Sequence, residues 1–130
     1  MKSLYLIAVF GTIVSASLLQ AIAIVESNEV DSAISPDGWD KGRMQIREQF
    51  RDLRIPLIGY EYDPHDPYDS TRLAALILQD HYNRFGCWRL AVSAYNRGAG
   101  WVTENGVCSE YCLKVWIAER GLNDKSTRSK

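Results

Sequence analysis

Glu26 closes an apolar run, Leu18 to Val25, and is followed directly by Ser27. A carboxyl at the edge of an apolar wall is desolvated, and desolvation raises its pKa. Such an acid stays protonated near neutrality and can hand a proton to a leaving oxygen. Asp40, further along, offers a second carboxylate. The segment Gly42-Arg43-Met44-Gln45-Ile46 follows it. Its glycine permits a turn, or a close approach of backbone to ligand, that other residues resist. Gln45 carries both a donor and an acceptor, which suits hydroxyl and amide groups, and Met44 can give adaptable apolar contact. Ala94-Tyr95-Asn96 places a phenol and a carboxamide just ahead of Gly98 and Gly100. Taken singly, each piece has a plainer reading. Glu26 could be a helix-end acid facing solvent, Gly42–Ile46 a turn into a helix, Tyr95 a core residue and Asp40 a cap of the following turn.

In this order and at this spacing, Glu26-Ser27, Gly42-Arg43-Met44-Gln45-Ile46 and Ala94-Tyr95-Asn96 resemble the signature motifs of the soluble lytic transglycosylase family, within the lysozyme superfamily. The resemblance runs from about Leu18 to Trp101 and implies a mainly α, small lysozyme-like (SLT-type) domain. It implies that Glu26 protonates the β-1,4 bond between N-acetylmuramic acid and N-acetylglucosamine in peptidoglycan, then acts as base on the sugar's own 6-hydroxyl. The product is a 1,6-anhydro ring. The substrate's acetamido group can stabilise the anomeric centre, so one enzymic carboxylate can suffice. Ser27, Gly42, Met44, Gln45, Tyr95 and Asn96 become the expected substrate-binding residues, with Tyr95 hydrogen-bonding near the catalytic carboxyl and orienting it. Two positions depart from the family pattern. Arg43 replaces the usual leucine and is expected to point outward or to contact a peptide-stem carboxylate. Arg97 replaces a small residue.

Glu26-Ser27-Asn28 together with Asp40-x-Gly42-x-x-Gln45-Ile46 also resembles the corresponding strip of animal-type lysozymes. There the aspartate is the second carboxylate and the bond is hydrolysed with retention, which needs the two carboxyls about 5–5.5 Å apart. The Ala-Tyr-Asn segment favours the transglycosylase reading over this muramidase alternative. The alternative from another class is a non-catalytic glycan-binding or assembly protein of the same fold. No cofactor is implied. A metal site is not expected, since there is no Cys-x-x-Cys pair and the histidines lie far from the cysteines.

The chain has 130 residues, 46% of them hydrophobic, enough for one domain with its own core. Its net charge of −1 argues against nucleic acid as a partner. The N-terminus reads as an export signal: Met1-Lys2-Ser3, an apolar run from Leu4 to Val14, and Val14-Ser15-Ala16 as a small-x-small cleavage pattern. Removal of residues 1–16 leaves 14 basic and 16 acidic residues. The alternative is a membrane anchor to about residue 25, since Leu4 to Val25 carries no charge and about 20 such residues span a bilayer. A helix bearing a working Glu26 must nevertheless pack inside the domain. The expected domains are thus a leader over 1–16, the lysozyme-like domain over 17–122 and a flexible polar tail over 123–130. The expected setting is periplasmic or extracellular, or a virion. The expected partners are peptidoglycan strands, a membrane through the N-terminal segment, and a phage or secretion apparatus.

The elements that must position the motifs are read as helices. Ser17 is placed as the cap of a helix over 18–28, and Ser35-Pro36-Asp37-Gly38 as a turn. A short amphipathic helix is expected after Gly42, with Met44, Ile46, Phe50 and Leu53 inward, then loop from Arg54 to Pro67. Ser70 to Phe85 has a near-3.6 apolar period and ends at Gly86. Helices over Trp88–Asn96, stopped by Gly98-Ala99-Gly100, and over Val107–Arg120, ended by Gly121, complete the set. No strand set is expected. Asp63, His65, Asp66 and Asp69 read as a solvated loop, their spacing being wrong for an EF-hand. His81 reads as a surface or core-edge residue, and Trp39, Trp88, Trp101 and Trp116 as mostly core. Export would oxidise cysteines. Cys108 and Cys112, four apart on one expected helix, pair poorly, so a bridge from Cys87 to one of them is expected, leaving an odd thiol.

Overall fold

A computed structural model describes residues 2–47 and 62–128. Among the described residues eight elements follow in chain order: α1 (Lys2–Ala8), α2 (Ala16–Ser27), β1 (Asp40–Lys41), β2 (Ile46–Arg47), α3 (Pro67–Phe85), α4 (Trp88–Arg97), α5 (Ala99–Asn105) and α6 (Glu110–Arg128). The molecule is mostly helical, as the sequence predicts, with α2 buried at its centre.

Helix α2 is apolar on nearly all sides, which suits only a surrounded helix. Leu18, Leu19, Ala21, Ile22 and Ala23 are all buried. Its cap is Ser15 rather than Ser17, with Ser15 Oγ accepting the Leu18 N–H at 3.1 Å. Asn28 ends it in a left-handed conformation, and the N–H groups of Asn28 and Glu29 return to the carbonyls of Ile24 and Ala23. Around α2 lie α1 and α6, and α3 packs on α4. Core residues from α1 (Tyr5, Ala8), the β-hairpin (Met44, Ile46), α3, α4 and α6 form one apolar cluster with it.

The expected leader is folded onto this domain. Tyr5 and Ala8 are buried, and Arg72 of α3 donates to the end carbonyls of this segment, at 2.9 Å for Ala8 O. No helix among the described residues is long and apolar enough to cross a membrane.

Several expectations are corrected. Residues 42–47 form no helix. Gly42 and Gln45 have φ of 82° and 51°, outside right-handed helix space, and the chain reverses into a hairpin pairing Asp40 with Arg47 and Lys41 with Ile46. Phe50, Leu53 and the stretch 54–61 of the expected loop lie outside the described residues. Helix α3 begins at Pro67, earlier than Ser70, because Asp66 caps it: Asp66 Oδ2 accepts the Asp69 N–H at 2.9 Å. The acidic stretch is therefore a capping knot, with Asp69 buried and accepting the Asp63 N–H at 3.0 Å.

Of the Gly98-Ala99-Gly100 stop, only Gly98 breaks the helix (φ 91°, ψ 154°), and α5 resumes at Ala99. Gly121 does not end the last helix, which runs through the expected tail to Arg128. One interior glycine costs only about 1 kcal/mol, which packing of α6 on α2 can offset. Trp39 and Trp116 are exposed, at 52% and 37%.

The cysteine pairing also differs. Cys108 and Cys112 are bridged, with Cα atoms 5.5 Å apart, and Cys87 is free. Cys108 precedes α6 instead of lying on it. The turn into the helix brings the two Cα atoms within ordinary disulfide range.

Candidate active site

The β-hairpin and the facing ends of α2 and α4 enclose a cavity of about 430 Å³, the size of a small-ligand or sugar site. Glu26, Asp40, Gln45, Tyr95 and Asn96, all singled out from the sequence, line it together. So do His81, at a cleft wall rather than a plain surface, and two cations, Arg47 and Arg97.

Glu26 sits on the last turn of α2. Burial pushes its carboxyl up to about 7, with the negative charge of Asp40 adding to the rise and a hydrogen bond from Tyr111 opposing it. Tyr111 Oη donates to Glu26 Oε2 at 2.9 Å. Burial, and then the nearby Glu26 charge, raise the Tyr111 and Tyr95 phenols well above their ordinary range. Both therefore remain protonated donors.

Asp40 stands across the cleft on β1. Arg47 Nε donates to its Oδ1 at 3.0 Å and Arg47 Nη2 to its Oδ2 at 3.4 Å. Its carboxylate is held across the hairpin and does not cap the next turn.

Much of the rest of the motif chemistry ties the site together from beneath. Ser27 Oγ donates to the Arg43 carbonyl at 2.7 Å and accepts the Val30 N–H at 3.0 Å. Tyr95 Oη donates to the Met44 carbonyl at 2.7 Å. The first and third motifs thus clamp the backbone of the second. Ser27, Gly42 and Met44 are not on the cavity wall, and Met44 is fully buried. Gly42 combines φ of 82° with contact against the loop before α3: a methyl group there would collide with the Pro64 carbonyl. Gln45 Nε2 donates to Gly42 O at 2.9 Å and Ala33 O at 3.3 Å. Its side chain is thereby fixed at the cavity wall.

Arg43 neither points outward nor lines the cavity. It is 3% exposed, forms a two-point ion pair with Asp31 at 2.9 and 3.1 Å, and donates to Tyr5 Oη at 2.9 Å. Tyr5 Oη donates in turn to Glu29 at 2.6 Å. The departure from leucine is absorbed inside the fold and leaves the cleft unobstructed. Arg97 is exposed, with its guanidinium 5.0 Å from the centre of the Trp101 ring.

The residue that sequence reasoning missed is Tyr111. The role expected of Tyr95, a hydrogen bond to the acid, falls to it. A signal was present: Cys108, Tyr111, Cys112 and Val115 follow the i, i+3, i+4, i+7 spacing of an inward helix stripe. Among the described residues no cluster of His, Cys, Asp or Glu could hold a metal ion.

The sequence model of the transglycosylase SLT domain matches residues 11–108. Among solved structures, the 70 kDa soluble lytic transglycosylase of Escherichia coli superposes with a TM-score of 0.70 at 24% identity. The match covers 92% of this chain but 21% of that one, so the chain spans about a fifth of that enzyme's length. This likeness establishes a shared lysozyme-like fold. No curated protein matched the chain. With the SLT model matching most of its length and the same fold recurring in a lytic transglycosylase, the chain belongs to the transglycosylase SLT domain family.

Proposed function

We propose that the protein is a peptidoglycan lytic transglycosylase with Glu26 as its single acid/base catalyst. The observation that carries this reading is a partly buried carboxyl with a pKa of about 7, aimed into a sugar-sized cleft. Near neutrality that group divides between its two protonation states, so it can serve as acid and then as base. Protonated Glu26 gives its proton to the glycosidic oxygen as the bond from the muramic acid anomeric carbon breaks. The 6-hydroxyl of the same sugar then attacks that carbon, and the Glu26 carboxylate takes the hydroxyl proton. No water enters, and the product carries a 1,6-anhydro ring. Gln45 Oε1 accepts from an amide or hydroxyl of the glycan, and Asn96 contacts sugar at the cleft wall. Ser27, Gly42, Met44 and Tyr95 act beneath, by fixing the hairpin that forms one wall.

A muramidase reading has one observation in its favour: Asp40 lines the same cleft and its charge acts on Glu26. Against it, the Asp40 carboxylate is already bound by Arg47. Mass analysis of muropeptides from purified peptidoglycan separates the two. Anhydro-muramyl ends support the transglycosylase; ends heavier by one water promote Asp40 to catalyst. The absence of any product, with retained binding, turns the reading toward a glycan-binding or assembly protein. The substrate implies action outside the cytoplasm, in the periplasm, at the cell surface or from a virion. There a phage or secretion apparatus would supply the need for a local opening in the wall.

A further inference from the structure

Tyr111, the residue that touches the proposed acid, lies within the five-residue loop closed by the Cys108–Cys112 bridge. Helix α6 begins at Glu110, so the bridge ties Cys108, two residues ahead of the helix, to its first turn. Two weaker ties act at the same place. Ser109 Oγ accepts the Cys112 N–H at 3.1 Å, and the Ser109 N–H donates to Ser93 Oγ of α4 at 3.0 Å. These place the start of the helix on α4. Only the bridge is covalent, and it spans Tyr111 itself. The phenol oxygen stands at the end of a long side chain, so a small rotation of this first turn carries it beyond hydrogen-bond tolerance.

We propose that the Cys108–Cys112 bridge is a positioning device for Tyr111, holding its hydroxyl on the Glu26 carboxyl and making the catalytic acid responsive to the redox state of the bridge. The proposal rests on the reading of Glu26 as the catalyst. The Cys112 sulfur is fully buried and Cys108 is only partly so, which makes Cys108 the point of attack for a dithiol reductant. Thiol–disulfide exchange breaks the S–S bond. Two electrons and two protons convert the bridge to two thiols, while the dithiol becomes a disulfide.

The groups facing Glu26 are Tyr111 from α6, Tyr95 from α4 and Asp40 from β1, with Arg47, His81 and Arg97 elsewhere on the cavity wall. Of the influences on Glu26, the Tyr111 bond holds its pKa down, while burial and Asp40 push it up. Loosening Tyr111 therefore moves the acid upward.

The test is a 13C NMR titration of the Glu26 carboxyl carbon in the full chain carrying Cys87→Ser, so that the bridge is the sole source of thiols. The midpoint is expected to rise by about one pH unit when a dithiol opens the bridge, the scale of one hydrogen bond to a carboxylate. In Tyr111→Phe the midpoint should already be raised and should not move on reduction. An unchanged midpoint in the reduced chain overturns the proposal, and so does an equal rise on reduction in Tyr111→Phe. The double variant Cys108→Ser, Cys112→Ala repeats the measurement without reductant. If both open forms unfold, the bridge serves the fold rather than the tyrosine, and the proposal fails. Product formation from peptidoglycan is followed in parallel. Its absence in every form counts against the catalytic reading alone, because the titration does not depend on turnover.

Discussion

Tyr111 and Glu26, 85 residues apart in sequence, are joined by a single 2.9 Å hydrogen bond across the interface of α2 and α6. The donor favours the charged carboxylate and so restrains the rise caused by burial. In Tyr111→Phe that restraint is gone. The high-pH limb of kcat/KM, which follows protonated Glu26, is expected to move upward by about one pH unit. A pH–rate profile on purified peptidoglycan measures it, and an unmoved limb would exclude Tyr111 from the acid's environment.

Glu26→Gln is expected to abolish wall lysis while leaving glycan binding, and also to stabilise the fold. The Glu26 pKa is raised on folding from 4.5 to about 7. The native state therefore binds more protons than the unfolded one between those values. The contribution of Glu26 to stability is greatest below pH 4.5 and is lost as pH rises through the window to about 7. The accumulated cost above it is about 3 kcal/mol. Glutamine avoids it, so urea melts should show the variant more stable than the parent at pH 8 and nearly equal to it at pH 4.

Asp40→Asn separates a charge effect from catalysis. Removing the neighbouring negative charge lowers the Glu26 pKa, so the high-pH limb should shift downward, opposite to Tyr111→Phe. Anhydro-muramyl products should persist. Loss of all product in this variant, with the fold intact, would require Asp40 to act in the chemistry.

Gly42→Ala forces a left-handed φ on alanine and drives a methyl group into the Pro64 carbonyl. Left-handed backbone alone costs about 1–2 kcal/mol, and the collision adds to it. Thermal unfolding should show a loss of more than about 2 kcal/mol. A variant as stable as the parent would show that the hairpin turn has room to shift.

Tyr5→Phe tests the contact between the first helix and the second motif. It removes the hydroxyl that Arg43 Nη1 and Glu29 share, leaving a buried guanidinium nitrogen without that acceptor. The expected loss is about 1–3 kcal/mol, read by urea unfolding of the full chain. A chain beginning at Ser17 loses this contact and the Tyr5 and Ala8 side chains from the core as well, and should be less stable still.

The acid, the hairpin glycine and the tyrosine-asparagine pair were legible because each sits on a pattern with a local physical cause: an apolar helix ending in a carboxyl, a left-handed turn, a helix stopped at Gly98. Other features were not legible because their causes are long-range. Arg43 looked like a surface cation, and only the convergence of Asp31 and Tyr5 turns it inward. Tyr95 looked like the partner of Glu26, but its hydroxyl turns to the Met44 carbonyl, and Tyr111 of α6 reaches the carboxyl instead. The Cys108–Cys112 pairing depended on where α6 starts, and helix boundaries are the least certain part of a sequence reading.

The central position of α2 has a consequence for the order in which the site is assembled. The helix bearing Glu26 is made before α6, yet it packs against α6, and Glu119 of that helix contacts Ser15 and Ser17 at its other end. A growing chain that has not passed residue 111 lacks the donor to Glu26. The surroundings of the acid are thus completed only when α6 docks on α2.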